Sequence, residues 1–375
     1  MKNVLKLIGN IILLIVLMAA IAFIGLVVYL TFTSDKQVSE IIQQSANEIG
    51  TIKDEKVEEK TITQNVGEII SELLVPTIEE KIEYKNTNSI GKFYYEQLDE
   101  NQKMLYNGLQ ENKDKLVMGT YVIQFGDRFS KVLEEETGVG KLQADYQTAV
   151  EAFTHDNPDL FFLDVSKMYL NIETTKKLWS VKYNVYIGPG EGQKYTDDVF
   201  TSEQEIIEAQ NRIETIKNQI LGKLGKDTYK NIKIIHDSLI NNIEYDQNTT
   251  SKSTYSIYGA FIEKKCVCDG YARAFKYLAN AAGIECELIQ GTATNSSGKT
   301  ENHAWDAVKL NGKWYYIDVT WDDPIIIGRG IVLNKYYYQY FLKGSKTFEE
   351  NHVENGIFSE GGKEFKYPNI NRTDY

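Results

Sequence analysis

The chain has 375 residues, of which 42% are hydrophobic and 25% are charged, and its formal net charge is -12 at pH 7. A chain of this length and hydrophobic content can bury a large core, which excludes wholesale disorder and a disulfide-stabilised mini-protein. The excess of acidic residues is unsuited to binding nucleic acid or an anionic membrane surface, so we expect no nucleic-acid partner. The three cysteines all lie between residues 266 and 286, which indicates neither a disulfide framework nor a four-ligand zinc site.

Residues 1–33 contain a predicted transmembrane helix. The run Ile11–Leu30 has twenty uncharged and mostly apolar positions, which is long enough to span the core of a bilayer. Lys2 and Lys6 precede this run, so the positive-inside tendency places the N terminus in the cytoplasm and the rest of the chain outside the cell. A cleaved signal peptide is the alternative, although its apolar region is normally shorter and ends in an Ala-x-Ala site. We therefore expect a single-pass cell-membrane protein whose catalytic domain is extracellular.

Two further segments separate this anchor from the C-terminal domain. Residues 34–89 carry twelve Asp or Glu against six Lys, and they predict an acidic, partly helical stalk, with a short coiled coil as the alternative. Residues 90–225 are richer in aromatic side chains and predict a mixed α/β accessory domain. Within it, Met168–Ile172 and Leu178–Tyr186 alternate like strands, and Ser202–Ile220 has helical periodicity.

The most informative segment lies in the last predicted domain, residues 226–375. A helix is predicted to start near Cys268, because small and apolar residues recur there at spacings of four and three: Cys268, Ala272, Phe275, Ala279 and Ala282. Gly283 is well placed to end that helix. The dipole and the free backbone amides of a helix N terminus favour a thiolate and can also receive an oxyanion. Cys268 is therefore the candidate nucleophile.

His303 is the candidate base for this thiol. The segment that starts at His303 is predicted to be a strand, and Asn311-Gly312 is the strongest signal for a two-residue hairpin turn back into a second strand. With that loop length, His303 faces Thr320, and Asp318 is its diagonal neighbour on the same side, about 7 to 8 Å away between backbones. A three-residue loop would place Asp318 on the opposite side. The pattern thus offers a nucleophile, a base and an orienting carboxylate.

Three blocks of sequence carry these groups: Val267–Ala272, Asn302–Trp305 and Tyr316–Trp321. They resemble the transglutaminase-like superfamily of Cys-His-Asp acyltransferases and peptidases. The resemblance implies an α+β, papain-like core, in which a cysteine at a helix N terminus packs on an antiparallel sheet that carries the histidine and the aspartate. It implies that Cys268, His303 and Asp318 form a catalytic triad that needs no metal or organic cofactor. One departure is Cys266, where relatives often carry glycine.

The same resemblance implies an enzyme that forms a thioester with an amide or peptide carbonyl, and the predicted membrane anchor places this enzyme at the cell surface. An amine would resolve this thioester to a cross-link and water would hydrolyse it, and the residues do not decide between them. Surface proteins or cell-wall peptides are the expected substrates, and the sequence makes no prediction of oligomeric state. The alternative is a non-enzymatic adhesion or scaffolding module on the same fold with an idle thiol.

The other polar candidates are expected to be structural. Cys286 is predicted to lie on the buried face of a strand, with Cys266 either free or paired with it. His236 is predicted to form structural hydrogen bonds on a polar helix face. Five further residues are expected in loops or as solvated charges: His155, His352, Asp306, Asp322 and Asp323. Trp305 and Trp321 are predicted either to line an acyl-donor channel or to belong to the core.

Two other motifs resemble ligand sites but lack the structural context that those sites need. Residues 293–300 fit a relaxed phosphate-loop pattern, but such a loop must open a helix, whereas the next residues enter the predicted His303 strand. The Cys266-x-Cys268 pair lacks the two-residue gap that is usual between zinc ligands. We therefore expect neither a nucleotide site nor a zinc site.

Overall fold

The structure is a computed structural model that describes residues 90–177, 180–249, 253–323, 334–355, 357–358 and 360–375. These residues belong to one compact unit. The predicted transmembrane helix and stalk lie outside the described residues. Within the ranges just given, no helix combines the length and the apolar character needed to cross a membrane.

The first part of the described chain is built from three α-helices and a three-stranded antiparallel sheet. The helices are α1 (Glu100–Glu111), α2 (Ser130–Leu133) and α3 (Gly138–Asp156). The strands are β1 (Ile123–Gly126), β2 (Met168–Lys177) and β3 (Ser180–Pro189), in the order β1-β3-β2. Short 3-10 turns lie at Tyr95–Gln97, Lys113–Met118 and Val165–Lys167. The two predicted strands are thus confirmed as a hairpin, and its second strand continues through Gly188 to Pro189.

Two helices lead from this region to the candidate nucleophile. Helix α4 (Glu203–Leu221) starts after Ser202, whose hydroxyl caps the amide of Glu205, and helix α5 (Thr228–Ile240) follows it. Strands β4 (Glu244–Tyr245) and β5 (Lys265–Cys266) pair in parallel, and a π-helical turn, Gly259–Glu263, lies between them. Helix α6 (Cys268–Ala281) begins directly after β5. The predicted helix starts are therefore confirmed, including the one at Cys268.

The candidate base lies in a four-stranded antiparallel sheet of order β8-β7-β6-β9. Its strands are β6 (Cys286–Thr294), β7 (Thr300–Leu310), β8 (Lys313–Ile317) and β9 (His352–Glu354). A 3-10 turn at Asn334–Tyr338, helix α7 (Ser345–Phe348), and strands β10 (Ile357–Phe358) and β11 (Glu364–Phe365) complete the described elements. The segment with the phosphate-loop pattern forms the hairpin turn between β6 and β7, where Thr294 faces Thr300. It opens no helix.

Helix α6 is held on the sheet by apolar and charged contacts. Ala272 of α6 packs with Leu288 and Ala304 of the sheet, and Cys268 contacts this cluster. Two turns after the cysteine, the buried ammonium of Lys276 donates to Glu287 of β6 at 2.6 Å. Breaking such a buried pair on one side is strongly destabilising. The nucleophile is therefore carried by a helix that is held on the sheet one turn and two turns after the cysteine.

The two predicted domains at residues 90–225 and 226–375 contact each other closely. One hydrophobic cluster contains buried side chains from both of them. The hydroxyl of Tyr94 donates to the carbonyl of Leu288 in β6 at 2.8 Å, and the backbone amides of Tyr94 and Tyr95 donate to Asp156 at the end of α3. The boundary at residue 225 stays a prediction.

Candidate active site

Cys268 is the first residue of α6 and follows Val267, which has an extended backbone. The first amides of a helix have no partner within the helix, and here the capping side chain is an apolar valine that makes no hydrogen bond to them. These amides are therefore available beside the thiol. Cys268 is half-buried, whereas Cys266 and Cys286 are buried, and all three thiols are free. The alternative of a Cys266–Cys286 disulfide is thus wrong for this structure.

Cys266 has a packing role next to the nucleophile. A Cβ atom on Gly270 would lie 2.5 Å from the Cβ of Cys266 and 2.8 Å from its sulfur. The first turn of α6 therefore needs glycine at position 270 because the side chain of Cys266 fills that space. Burial raises the pKa of Cys266 and also the pKa of Cys286, and it keeps both as neutral thiols.

The hairpin places His303 against Asp318. Asn311 and Gly312 both have positive φ, 52° and 77°, as a two-residue turn of this kind requires, and Leu310 pairs with Lys313. The predicted register is therefore confirmed from the pair Leu310–Lys313 to the pair Asp306–Ile317, but the ladder does not extend to the expected pairing of His303 with Thr320. The ladder ends at Ile317, so Asp318 leaves the strand and its Oδ2 atom lies 2.7 Å from Nε2 of His303.

The electrostatics of this pair favour a protonated imidazole. Burial lowers the pKa of His303, but the Asp318 carboxylate and its hydrogen bond raise it by more, to about 10, with a further contribution from Cys268. Asp318 is completely buried, and although burial raises its pKa, the interaction with His303 holds that pKa below its usual range. Because Nε2 of His303 faces the carboxylate, Nδ1 is the nitrogen left for the sulfur of Cys268. The structure thus brings the three predicted residues together, with His303 in contact with both of the others.

A second histidine, His352, was missed by sequence reasoning. It was expected in a loop, but it is the first residue of β9 and is buried, and its Nε2 lies 3.1 Å from the same Oδ2 atom of Asp318. The other carboxylate oxygen, Oδ1, accepts the backbone N–H groups of Thr320 and Trp321 at 3.0 and 3.1 Å. No signal in the sequence links position 352 to position 318, because the pairing of β9 with β6 involves only three residues.

The thiol and the imidazole open into a cavity of about 510 Å³. Its walls come from both predicted domains, since Glu151 lies on α3 whereas the other lining residues follow residue 250: Tyr255, Cys268, Asp269, Gln290, Gly291, Asn302, His303, Ala304 and Asn355. Gly291 is needed here, because a Cβ at that position would lie 2.1 Å from the carbonyl oxygen of Val353 and 2.5 Å from the ring of Trp305. The cavity therefore gives a substrate direct access to the sulfur.

The two tryptophans have different roles. Trp305 is buried among Tyr316 and Phe348, which confirms the core alternative for it. Trp321 is half-buried, and its ring centroid lies 5.5 Å from that of His303. Trp321 therefore borders the imidazole.

Several charged residues are buried, contrary to expectation. Asp306 and Asp322 are buried rather than solvated, and Asp323 is half-buried and accepts the hydroxyl of Tyr271 at 2.6 Å. They were misjudged because strand pairing and the turn after β8 bring them against the core. Burial raises the pKa of Asp306 well above its usual range, and its Oδ1 atom accepts from the thiol of Cys286 at 3.7 Å.

Two histidines were also placed wrongly. His236 is completely buried on α5 rather than on a polar face, but its hydrogen-bonding role is confirmed, because it lies 3.1 Å from Asp237 and 3.2 Å from Asp322. His155 lies on α3 rather than in a loop, and burial lowers its pKa to about 3. Neither residue lines the cavity around Cys268.

His303, Asp318 and His352 also have the donor atoms of a metal site, all within 4.8 Å of one another. Ligand atoms around a tetrahedral zinc ion, each at about 2.0 to 2.1 Å, lie about 3.3 Å apart. The distances from Asp318 to the two imidazoles, 2.7 and 3.1 Å, are shorter than that and are typical of hydrogen bonds. The arrangement fits a hydrogen-bonded network rather than a metal centre.

Comparison with known proteins identifies the domain around this site. Residues 214–319, which include Cys268, His303 and Asp318, match the family model described as "Transglutaminase-like superfamily". The chain is 26% identical over 170 residues to kyphoscoliosis peptidase of Homo sapiens, covering 41% of this chain and 24% of that protein. The protein of the same name from Mus musculus is 26% identical over 150 residues, covering 36% and 22%. The chain thus spans about a quarter of the length of these curated relatives.

Two solved structures are also similar. One is described as a TGase, with 14% identity and a TM-score of 0.28, covering 47% of this chain and 50% of that chain. The other is the periplasmic domain of TgpA from Pseudomonas aeruginosa, with 14% identity and a TM-score of 0.24, covering 38% and 55%. Together with the family match, the α+β architecture leads to one assignment. The chain contains a domain of the transglutaminase-like superfamily, formed by residues 214–319.

Proposed function

We propose that this protein is a cysteine enzyme that forms a thioester between Cys268 and the carbonyl of a carboxamide or peptide bond. The observation that carries the proposal is the pair of contacts from Cys268 to His303 and from His303 to Asp318, with the thiol and the imidazole in the wall of a cavity. A nucleophile, a base and an orienting acid need this order. A thiol that served only in packing would need neither a buried His-Asp pair beside it nor access to a cavity.

The reaction that follows from this geometry has two steps. In the first, the sulfur of Cys268 attacks the carbonyl carbon, and the oxyanion is stabilised by free amides of the first turn of α6. The imidazolium of His303 then protonates the departing nitrogen, the C–N bond breaks, and the thioester remains. In the second, His303 accepts a proton from an amine or from water as that group attacks the thioester, and the C–S bond breaks to release Cys268 as a thiolate beside the imidazolium. An amine yields a new amide bond, and water yields a carboxylic acid.

The substrates that suit this site are surface proteins or cell-wall peptides. The cavity is large enough to admit a side chain or a short peptide segment, and it is open to solvent through residues of both predicted domains. The competing function is a non-enzymatic adhesion or scaffolding module with an idle thiol. The two functions differ in whether any acyl group is transferred.

Mass spectrometry separates these outcomes. The purified protein is mixed with glutamine-containing surface proteins and with cell-wall peptides. We expect it to modify at least one of these donors, and we expect no modification when Cys268 is replaced. With an added primary amine, transamidation gives a product that has gained the amine and lost ammonia. Hydrolysis gives a carboxylic acid or a cleaved peptide whether or not the amine is present. If every donor is unchanged in a broad panel, the adhesion module is the better description.

We also propose that the enzyme is tethered to the cell membrane with its catalytic domain outside. The twenty-residue apolar run Ile11–Leu30 and the preceding Lys2 and Lys6 support this orientation. Protease added to intact cells should then degrade residues 93–375 and leave a short anchored stub, whereas a cytoplasmic marker protein should survive. Protection of the catalytic domain until the cells are lysed would refute the exported orientation.

A further inference from the structure

We propose that His352 is a positioning residue for the candidate triad, which acts by sharing the carboxylate of Asp318 with His303. Both imidazoles present Nε2 to the same oxygen, Oδ2 of Asp318, at 2.7 Å for His303 and 3.1 Å for His352. His352 lies outside the segment that matches the family model, residues 214–319. The inference concerns how the proposed catalytic histidine is held and charged.

The rotamer of Asp318 is fixed by hydrogen bonds to both of its carboxylate oxygens. Its Oδ1 atom is fixed by the amides of Thr320 and Trp321, and its Oδ2 atom is fixed from two sides by histidines. Each hydrogen bond to an ionised and buried carboxylate is stronger than a bond between neutral groups. Removal of the bond from His352 leaves Oδ2 held by His303 alone, so the carboxylate still faces His303 but the orientation of this pair is less well fixed.

His352 is itself held in place by its neighbours. Its Nδ1 atom lies 2.7 Å from the side-chain oxygen Oδ1 of Asn351, and strand pairing places His352 opposite Ala293. Its ring is enclosed by four aromatic side chains at centroid distances of 4.1 to 5.3 Å: Phe348, Trp321, Trp305 and Tyr340. This enclosure excludes water, so no solvent molecule can replace the imidazole as a donor to Asp318.

His352 also affects the negative charge that Asp318 presents to His303. A carboxylate carries no proton, so His352 must present Nε2–H to Asp318. This donor draws part of the negative charge of the carboxylate toward itself, which leaves less of that charge for the imidazolium of His303. Loss of the donor therefore makes His303 more basic. Burial lowers the pKa of His352, and the hydrogen bond to Asp318 offsets that effect only in part.

Other groups act on His303 and Asp318 and are not changed by a substitution at position 352. Cys268 contributes directly to His303. Four further groups interact electrostatically with Asp318 from the neighbouring strands and loops: Asp306, Asp322, Tyr340 and Tyr245. The comparison of variants at one position therefore isolates the contribution of His352.

The test compares His352→Phe, His352→Gln and Phe348→Leu in the full-length protein. His352→Phe keeps an aromatic ring but removes the donor, and we expect kcat to fall by about tenfold to a hundredfold, the effect of one hydrogen bond to a charged group, with little change in KM. The alkaline limb of the pH profile should move to higher pH, because His303 becomes more basic. His352→Gln retains an N–H donor and should recover part of kcat.

Phe348→Leu is the matched control for packing. It removes an aromatic contact with His352 but no hydrogen bond, so it should lower the melting temperature without moving the alkaline limb. If His352→Phe behaves in the same way, with wild-type kcat and an unmoved limb, His352 is merely structural and the inference is wrong.

The inference rests on the proposed function for its kinetic readout, so a second readout is independent of turnover. The titration of the His303 ring can be followed by NMR of histidine-labelled protein and assigned with a His303→Gln variant. We expect the midpoint of His303 to rise by about half a pH unit or more in His352→Phe. A protein without turnover that shows this rise would refute the proposed enzyme but support the positioning role. An unchanged or lowered midpoint would refute the positioning role whatever the activity.

Discussion

Cys268→Ser should abolish formation of the acyl-enzyme with any amide donor that the wild-type protein accepts. A serine hydroxyl at this position is a far weaker nucleophile than a thiolate, and the imidazolium of His303 is arranged to protonate a leaving group rather than to activate a neutral hydroxyl. The expected loss of turnover is at least about a thousandfold. Intact-mass analysis after trapping at low pH should show the adduct on the wild-type protein, and peptide mapping should place it on Cys268.

The two other cysteines provide the matched controls. Both are buried and kept as neutral thiols, so neither can compete as a nucleophile. Cys266→Ala should retain most of the activity, although it leaves a space beside Gly270. Cys286→Ala should mainly lower stability, by about 1 to 2 kcal/mol, as truncations of small core residues do. An adduct on Cys266 would overturn the assignment of the nucleophile, and the absence of an adduct on any cysteine would favour the adhesion module.

The parts of the site that lie close together in sequence were predictable. The helix that starts at Cys268 follows from the spacing of small and apolar residues, and its end at Gly283 follows from that residue's positive φ of 75°. The contact between His303 and Asp318 follows from the two-residue turn at Asn311-Gly312, because loop length fixes which residues share one side of a hairpin. Local sequence patterns therefore suffice to predict the helix start at Cys268 and, separately, the contact between His303 and Asp318.

What could not be predicted depends on pairing between distant segments. His352 reaches Asp318 only because β9 adds to the free edge of β6, and three residues are too short a strand to leave a pattern in the sequence. The burial of Asp306 and Asp322 has the same origin, since the polarity of a residue indicates exposure only until a second segment covers it. The wall that α3 contributes to the cavity through Glu151 is likewise a consequence of packing between the two predicted domains.

Replacement of the base and of its orienting acid should have effects of different size. His303→Ala removes the proton donor and acceptor of both steps, so turnover should fall by at least about a thousandfold. Asp318→Asn should cause a smaller loss of about a hundredfold or more. The Oδ atom that accepts the amides of Thr320 and Trp321 must remain an oxygen, so the new Nδ2 group has to face His303. Its N–H then donates to Nε2, and the proton of the neutral imidazole is forced onto Nδ1, where it blocks acceptance from the sulfur or the attacking group.

Two further measurements show whether the loss in Asp318→Asn is due to the carboxylate: the pH profile and a variant of the neighbouring Asp306. The pKa of His303 is about 10 because the Asp318 carboxylate outweighs the effect of burial. The imidazolium form persists below that pKa and is lost above it, so removal of the carboxylate should move the alkaline limb of kcat/KM to lower pH, opposite to the shift expected for His352→Phe. Asp306→Asn is the matched control, because Asp306 is buried on the same hairpin but bonds to Cys286 rather than to His303, so an amide should replace its acid at little cost to activity. Full activity of Asp318→Asn, or an equal loss in Asp306→Asn, would mean that the carboxylate at position 318 serves packing alone.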